Sequence, residues 1–143
     1  MKTILPITIL PIEDDGYHLL VQGKVNGIGV NLILDTGASR TVFDEERLGS
    51  ILINSHFEEQ ERLSAGIGTT SMMSKKVVID QLSFNTLLIN NYEATVLNLK
   101  HVNQSYEKLE LAAVDGILGG DILLKYKAII DYHAKELLLK SGD

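Results

Sequence analysis

Two apolar segments, Tyr17 to Val25 and Ile28 to Leu34, flank the dipeptide Asn26-Gly27, and the second of them stops at the string Asp35-Thr36-Gly37-Ala38-Ser39. Asn-Gly between alternating apolar runs is a strong hairpin signal, because both central positions of a type I′ turn need positive φ. The second run sets Val30, Leu32 and Leu34 on one face and Asn31 and Ile33 on the other, so at least one face is expected to be buried. An apolar strand that ends at an acidic residue followed by small and hydroxyl side chains must turn tightly. Together these features constrain the chain to a β-rich fold that delivers one carboxylate to the end of a core strand.

The rest of the chain fits that frame. Both prolines lie within the first eleven residues and glycines recur from Gly16 to Gly142, a pattern of short strands and turns rather than long helices. The apolar stretch from Ile4 to Ile12 follows Lys2 as a signal peptide would, but Pro6 and Pro11 interrupt it and Glu13-Asp14-Asp15 follows, so it reads as a first strand. Residues Asp44 to Leu48 fit one helical turn with Asp44 as N-cap. Phe57 to Leu63 and Met72 to Ile79 read as the arms of a long hairpin, Ser83 to Ile89 and Ala94 to Leu99 as a further strand pair, and Tyr106 to Leu111 as helix-compatible. Asp121 is placed to cap a short helix whose Ile122 and Leu123 face the core, and Ala128 to Tyr132 and Glu136 to Leu139 read as two last strands. With no repeat or linker, residues 1–143 read as one domain.

Composition removes several function classes. The 143 residues include no cysteine, which excludes disulfides, thiol catalysis, zinc fingers and iron–sulfur clusters. With 13 Lys+Arg against 19 Asp+Glu the net charge is -6, so the broad attraction of a nucleic-acid binder is missing and anionic membranes are disfavoured. His18, His56, His101 and His133 are scattered without metal-ligand spacing, and no metal or other cofactor is expected. Gly116 to Gly120 lacks the Lys-Ser/Thr of a phosphate-binding loop, and Ser39 lacks a Gly-x-Ser-x-Gly elbow. No segment approaches a membrane span, so a soluble, cytoplasmic protein is expected.

On its own, a strand-end aspartate most often forms an Asx-turn, its carboxylate accepting a backbone N–H two residues on. The full string from Asp35 to Ser39 goes further: it resembles the active-site motif of aspartic proteases, an apolar strand leading into Asp-Thr/Ser-Gly-Ala/Ser-Ser/Thr. Gly116-Ile117-Leu118-Gly119 followed by Gly120-Asp121-Ile122-Leu123 resembles the family's late apolar-apolar-Gly strand and the short helix behind it. The segment Ala65-Gly66-Ile67-Gly68-Thr69 sits where retropepsin-like members carry the flap, although two glycines at a hairpin tip also suit an ordinary turn. The resemblance covers about residues 17 to 140 and implies an all-β, closed, barrel-like retropepsin (acid protease) fold with one or two short helices.

It also implies a mechanism. The chain carries one Asp-Thr-Gly where two-lobed members carry two motifs, so two chains must each donate Asp35 across a homodimer. One ionised Asp35 would activate a water while the protonated Asp35 of the partner subunit bonds the scissile carbonyl. By the same resemblance Thr36 would bond across the dyad to its twin, Gly37 would admit the substrate backbone and Ser39 would bond the outer carboxylate oxygen. Ala38, Ile117, Leu118 and Gly119 would support the turn, and Gly66, Ile67, Gly68 and Thr69 would close over an extended peptide. Ile67, Val42 and Ile117 lead us to expect an apolar cleft for large hydrophobic side chains. The chain departs from many retroviral members in having Gly120-Asp121 where they have Arg-Asn. Two alternatives stay open at the level of sequence: a non-catalytic peptide-binding or dimerisation module of the same fold, and a monomer awaiting processing or a partner.

Overall fold

A computed structural model describes residues 1–62 and 72–142. The first apolar stretch is divided between two sheets. Pro6 has no backbone N–H to extend a ladder, and the chain breaks at Ile7, whose N–H donates to Lys135 O at 2.9 Å. Lys2–Pro6 (β1) and Thr8–Pro11 (β2) consequently pair with different partners.

Tyr17–Val25 (β3) and Ile28–Leu34 (β4) form the hairpin with the boundaries read from the sequence. Asn26 and Gly27 take φ of 49° and 84°, the signature of a type I′ turn. Val30, Leu32 and Leu34 are buried, whereas Asn31 and Ile33 are half-buried on the opposite face. Val42–Asp44 (β5) runs into Glu45–Ile51 (α1), where Asp44 caps the helix by accepting the Arg47 N–H at 3.0 Å.

Glu58–Arg62 (β6) pairs with Met72–Phe84 (β7), a strand of 13 residues. The expected pairing of 83–89 with 94–99 is replaced by one long hairpin, in which β7 turns at Asn85-Thr86 into Leu87–Leu97 (β8). Asn85 takes φ 55° and donates from Nδ2 to Ile4 O at 3.1 Å. Without glycine or proline at the turn, its only local mark is an asparagine tolerant of the left-handed region. Helix α2 spans Lys100–Lys108 rather than 106–111, with Tyr106 as its buried residue. Gly116–Leu118 (β9), Gly120–Lys125 (α3), Ile129–Asp131 (β10) and Glu136–Lys140 (β11) complete the order. The fold class matches the expectation, with three short helices among the described residues rather than one or two.

The larger sheet has the order β2-β3-β4-β9-β5-β8-β7-β6, and the additional pairing of β3 with β7 closes β3, β4, β9, β5, β8 and β7 into a barrel. Leu32, Phe43, Ile79, Leu82, Phe84 and Leu118 fill its interior. A smaller sheet, β1-β11-β10, lies beside it. Strand β9 is inserted between β4, to which it is parallel, and β5, to which it is antiparallel. The chain from Asp35 to Thr41 must therefore pass over the end of β9 to reach β5. Among the described residues no helix is long and apolar enough to cross a membrane.

Candidate active site

Asp35 sits one residue beyond β4, where Leu34 is still buried and Asp35 itself is exposed. Its backbone N–H donates to Leu118 O at 3.0 Å, continuing the β4–β9 ladder one step past the strand. The Asx-turn forms: Gly37 N–H donates to Asp35 Oδ1 at 2.8 Å, and Ala38 N–H to Asp35 O at 3.2 Å. Oδ2 carries no hydrogen bond among the described residues, and Asp35 is exposed together with Thr36, Gly37 and Ser39. The Ser39 hydroxyl, which the resemblance placed on the outer oxygen of Asp35, makes no hydrogen bond among the described residues.

What holds this turn comes from the far end of the chain. Gly120 N–H donates to Ala38 O at 2.7 Å, and Gly119 N–H donates to Thr41 Oγ1 at 2.9 Å. Gly119 is required by close approach, since a Cβ there would lie 2.6 Å from Arg40 O and 2.8 Å from Ala38 O. Gly116 at the start of β9 is under the same constraint, because a Cβ would collide with Val42 O. The support role expected for Ile117, Leu118 and Gly119 thus has a geometric basis in the ladder to β4 and β5: Ile117 is the register partner of both Ile33 and Val42.

Asp121 does not cap α3. Gly119 occupies the N-cap position with no side-chain cap bond, and the Asp121 carboxylate instead joins three elements. Its Oδ1 accepts from Thr41 N–H at 2.7 Å and from Thr41 Oγ1–H at 2.8 Å, and its Oδ2 accepts from the Tyr92 hydroxyl at 2.7 Å. Burial, the hydrogen bond to Asp121 and the charge of that carboxylate all push the Tyr92 phenol well above its ordinary pKa, so it stays a neutral donor. Arg40 beside this group is half-buried, with its Nε enclosed and without a hydrogen-bond partner among the described residues.

A second network fixes the other end of β9. Buried Asp115 accepts from Arg47 Nε at 2.7 Å and from Asn31 N–H at 2.7 Å, while its own N–H donates to Asn31 O and its carbonyl accepts from Asp44 N–H, each at 2.8 Å. Asp44 in turn accepts from Leu99 N–H at 2.8 Å. The strand under the Asp35 turn is pinned before Gly116 and after Leu118.

The aspartyl protease family matches residues 21–122, a span that holds the Asp35 turn, both networks and β9. The chain belongs to the aspartyl protease family. Among solved structures, the chain resembles a retropepsin-like aspartic protease from Rickettsia conorii, at 19% identity and a TM-score of 0.55 over 97% of this chain and 92% of that one. The retroviral protease-like domain of Ddi1 from Leishmania major aligns at 18% identity and a TM-score of 0.53, covering 87% of this chain and 90% of that one. EIAV protease, solved with the inhibitor HBY-793, aligns at 18% identity and a TM-score of 0.55, covering 83% of this chain and 97% of that one. No curated protein matches the chain. The fold is that of the retropepsin-like aspartic proteases.

Of the residues singled out from sequence, the structure brings Asp35 to Ser39 and Ile117 to Gly119 together at one end of the barrel. Gly66, Ile67, Gly68 and Thr69 lie outside the described residues. Sequence reading missed Thr41, Tyr92 and Asp115 as bracing residues. Their partners lie 29 to 84 residues away, with Thr41 and Asp121 80 apart, so no local pattern marks them.

Proposed function

We propose that this chain is an aspartic endopeptidase, hydrolysing peptide bonds with a water activated by Asp35 and the Asp35 of a second copy across a homodimer. The observation that carries the reading is the presentation of Asp35: an exposed carboxylate on a turn clamped rigidly to β9 and α3, in a chain of the aspartyl protease family with one Asp-Thr-Gly string. Rigid backing matters because catalytic groups must be held within a fraction of an ångström of their working geometry. We further propose residues 1–143 as one such domain.

Two carboxylates about 3 Å apart repel by on the order of 5 kcal/mol at an effective dielectric of about 20, so the pair keeps one proton over a wide pH range. The ionised member takes a proton from water as it attacks the carbonyl carbon. The protonated member donates its hydrogen bond to the carbonyl oxygen, where negative charge develops. The pair, not either residue, owns the two macroscopic pKa values. Thr36 and Gly37, exposed on the single subunit, are assigned to the contact with the partner and to the substrate backbone, and Ser39 to the outer carboxylate oxygen once the dimer forms. Ala38 and the Ile117 to Gly119 strand are assigned as supports. Half-buried Val42 and Ile117, paired in register beside the turn, favour large apolar side chains next to the scissile bond.

The test is cleavage of an unbiased peptide pool as a function of protein concentration. A dyad shared between chains gives initial rates that rise faster than linearly at low concentration and cut sites flanked by apolar residues. Rates strictly proportional to concentration down to full dissociation would oppose the shared dyad.

A further inference from the structure

Among the described residues nothing answers the charge of Arg40. It stands at the end of the Asp35 turn, with the backbone fixed on both sides of it: Gly120 N–H holds Ala38 O at 2.7 Å, and Thr41 N–H donates to Asp121 Oδ1 at 2.7 Å. A Cβ on Gly119 would lie 2.6 Å from Arg40 O, so the carbonyl is packed closely over β9. Fully buried Thr41 and Phe43 alternate with half-buried Arg40 and Val42, which puts the Arg40 side chain on the side of Val42, in line with the proposed cleft. Its Nε is enclosed without a hydrogen-bond partner, and its guanidinium enters no ion pair among the described residues. The Asp121 carboxylate is already taken by Thr41 and Tyr92. Arg40 is felt there only as a charge that lowers the Tyr92 pKa against the larger upward effects of burial and of Asp121. Arg47 shows the contrast, since its Nε donates to Asp115 at 2.7 Å.

A half-buried cation is normally paired, because taking it out of water costs energy that an opposite charge restores. A guanidinium presents N–H donors in a planar fork that fits one carboxylate by two parallel bonds. An arginine rooted in clamped backbone beside the Asp35 turn, and left unpaired, is set for a carboxylate that arrives with the substrate. We propose that Arg40 is a specificity-determining residue that binds an aspartate or glutamate side chain of the peptide. The inference rests on the protease reading above and goes beyond it by naming a charged substrate side chain in addition to the apolar ones beside the scissile bond. A two-fold axis through the Asp35 pair sets one Arg40 on each side of the bond that is cut. The acidic preference consequently falls at one position before the cut and at the equivalent position after it. With a net charge of -6 the chain as a whole repels an acidic peptide, so such a preference has to come from a local cation.

The experiment compares two peptide pools at about pH 6, where a substrate carboxylate of ordinary pKa is ionised: one unbiased, the other with every Asp and Glu replaced by Asn and Gln. Wild type, Arg40→Gln and Arg40→Glu are each assayed, with circular dichroism and sedimentation following fold and self-association. Wild type should enrich acidic residues at the two symmetric positions and favour the acidic form of matched peptides by about tenfold, chiefly through KM. Arg40→Gln should bring that ratio to about one, and Arg40→Glu should turn it toward Lys and Arg, a reversal that damage to the fold would not produce. A wild type indifferent to acidic residues, an acidic preference that survives both substitutions, or variants that lose self-association while keeping the ratio would each overturn the proposal. The last would name a carboxylate of the partner subunit as the group that Arg40 binds. Retention of the same pools on immobilised Asp35→Asn chain, with and without Arg40→Gln, reads the contact without turnover. An inactive wild type whose Asp35→Asn form retains the acidic pool through Arg40 defeats the protease reading alone, and an active wild type that treats both pools alike defeats this inference alone. No cleavage together with equal retention of both pools defeats the two.

Discussion

At position 41 one hydroxyl serves two elements, accepting from Gly119 N–H while donating to Asp121, and the backbone N–H of the same residue binds the same carboxylate oxygen. Thr41→Val keeps the shape but leaves the buried Gly119 N–H without a partner, which should cost about 2–4 kcal/mol in denaturant unfolding. Thr41→Ser should recover most of it, and a Val variant within about 0.5 kcal/mol of wild type would show that the hydroxyl braces nothing. Tyr92 carries a pH signature. Its folded pKa is raised, so its contribution is intact below the unfolded value of about 10 and fades as pH rises above it, because the unfolded chain then releases a proton the folded chain retains. Tyr92→Phe should lower stability at neutral pH by about 1–2 kcal/mol and flatten the alkaline fall; an unchanged slope above about pH 10 would contradict this. At this scale the Asp35 turn was legible, since strand end, carboxylate and small residues are contiguous. Asp121 was legible only as an acid near a helix start, and its real partners, Thr41 and Tyr92, come from other strands.

Strand β9 shows how much three residues can organise when both ends are fixed. It is held by Asp115 before it and by the Thr41–Asp121 pair after it, with β4 and β5 on its flanks. Gly119→Ala would drive a methyl group toward Arg40 O, 2.6 Å away, and the carbonyl belongs to the very turn that positions Asp35. A loss of about 1–3 kcal/mol is expected by thermal or denaturant unfolding, with peptide cleavage falling further than stability alone explains because the turn shifts. Equal stability and full activity would mean that the turn yields without consequence. Elements with a strong local signal were read correctly: the Asn26-Gly27 hairpin, the Asp44 cap and the last two strands. Those that depend on tertiary context were not. The β7–β8 turn at Asn85-Thr86 lacks glycine and proline, the first strand splits at Ile7 because its halves find different partners, and α2 begins earlier than its pattern suggested. That Gly116 to Leu118 lies between β4 and β5 is a long-range fact that periodicity does not carry.

For the whole molecule, closure of the barrel through β3 and β7 leaves the Asp35 turn exposed at one end, with a single carboxylate where the proposed chemistry needs two. We propose that this carboxylate, paired with its copy, hydrolyses peptide bonds. Asp35→Asn isolates the chemistry, because the amide oxygen can still accept from Gly37 N–H and the turn is kept while the ionisable group is removed. The decisive measurement is cleavage of a peptide pool between about pH 4 and 7 by wild type and Asp35→Asn side by side, with folding monitored. Cleavage by the wild type and a loss of at least about a thousandfold in the folded variant are expected. A folded Asp35→Asn chain that cleaves within about tenfold of wild type, or a folded, associated wild type that cleaves nothing, would contradict it.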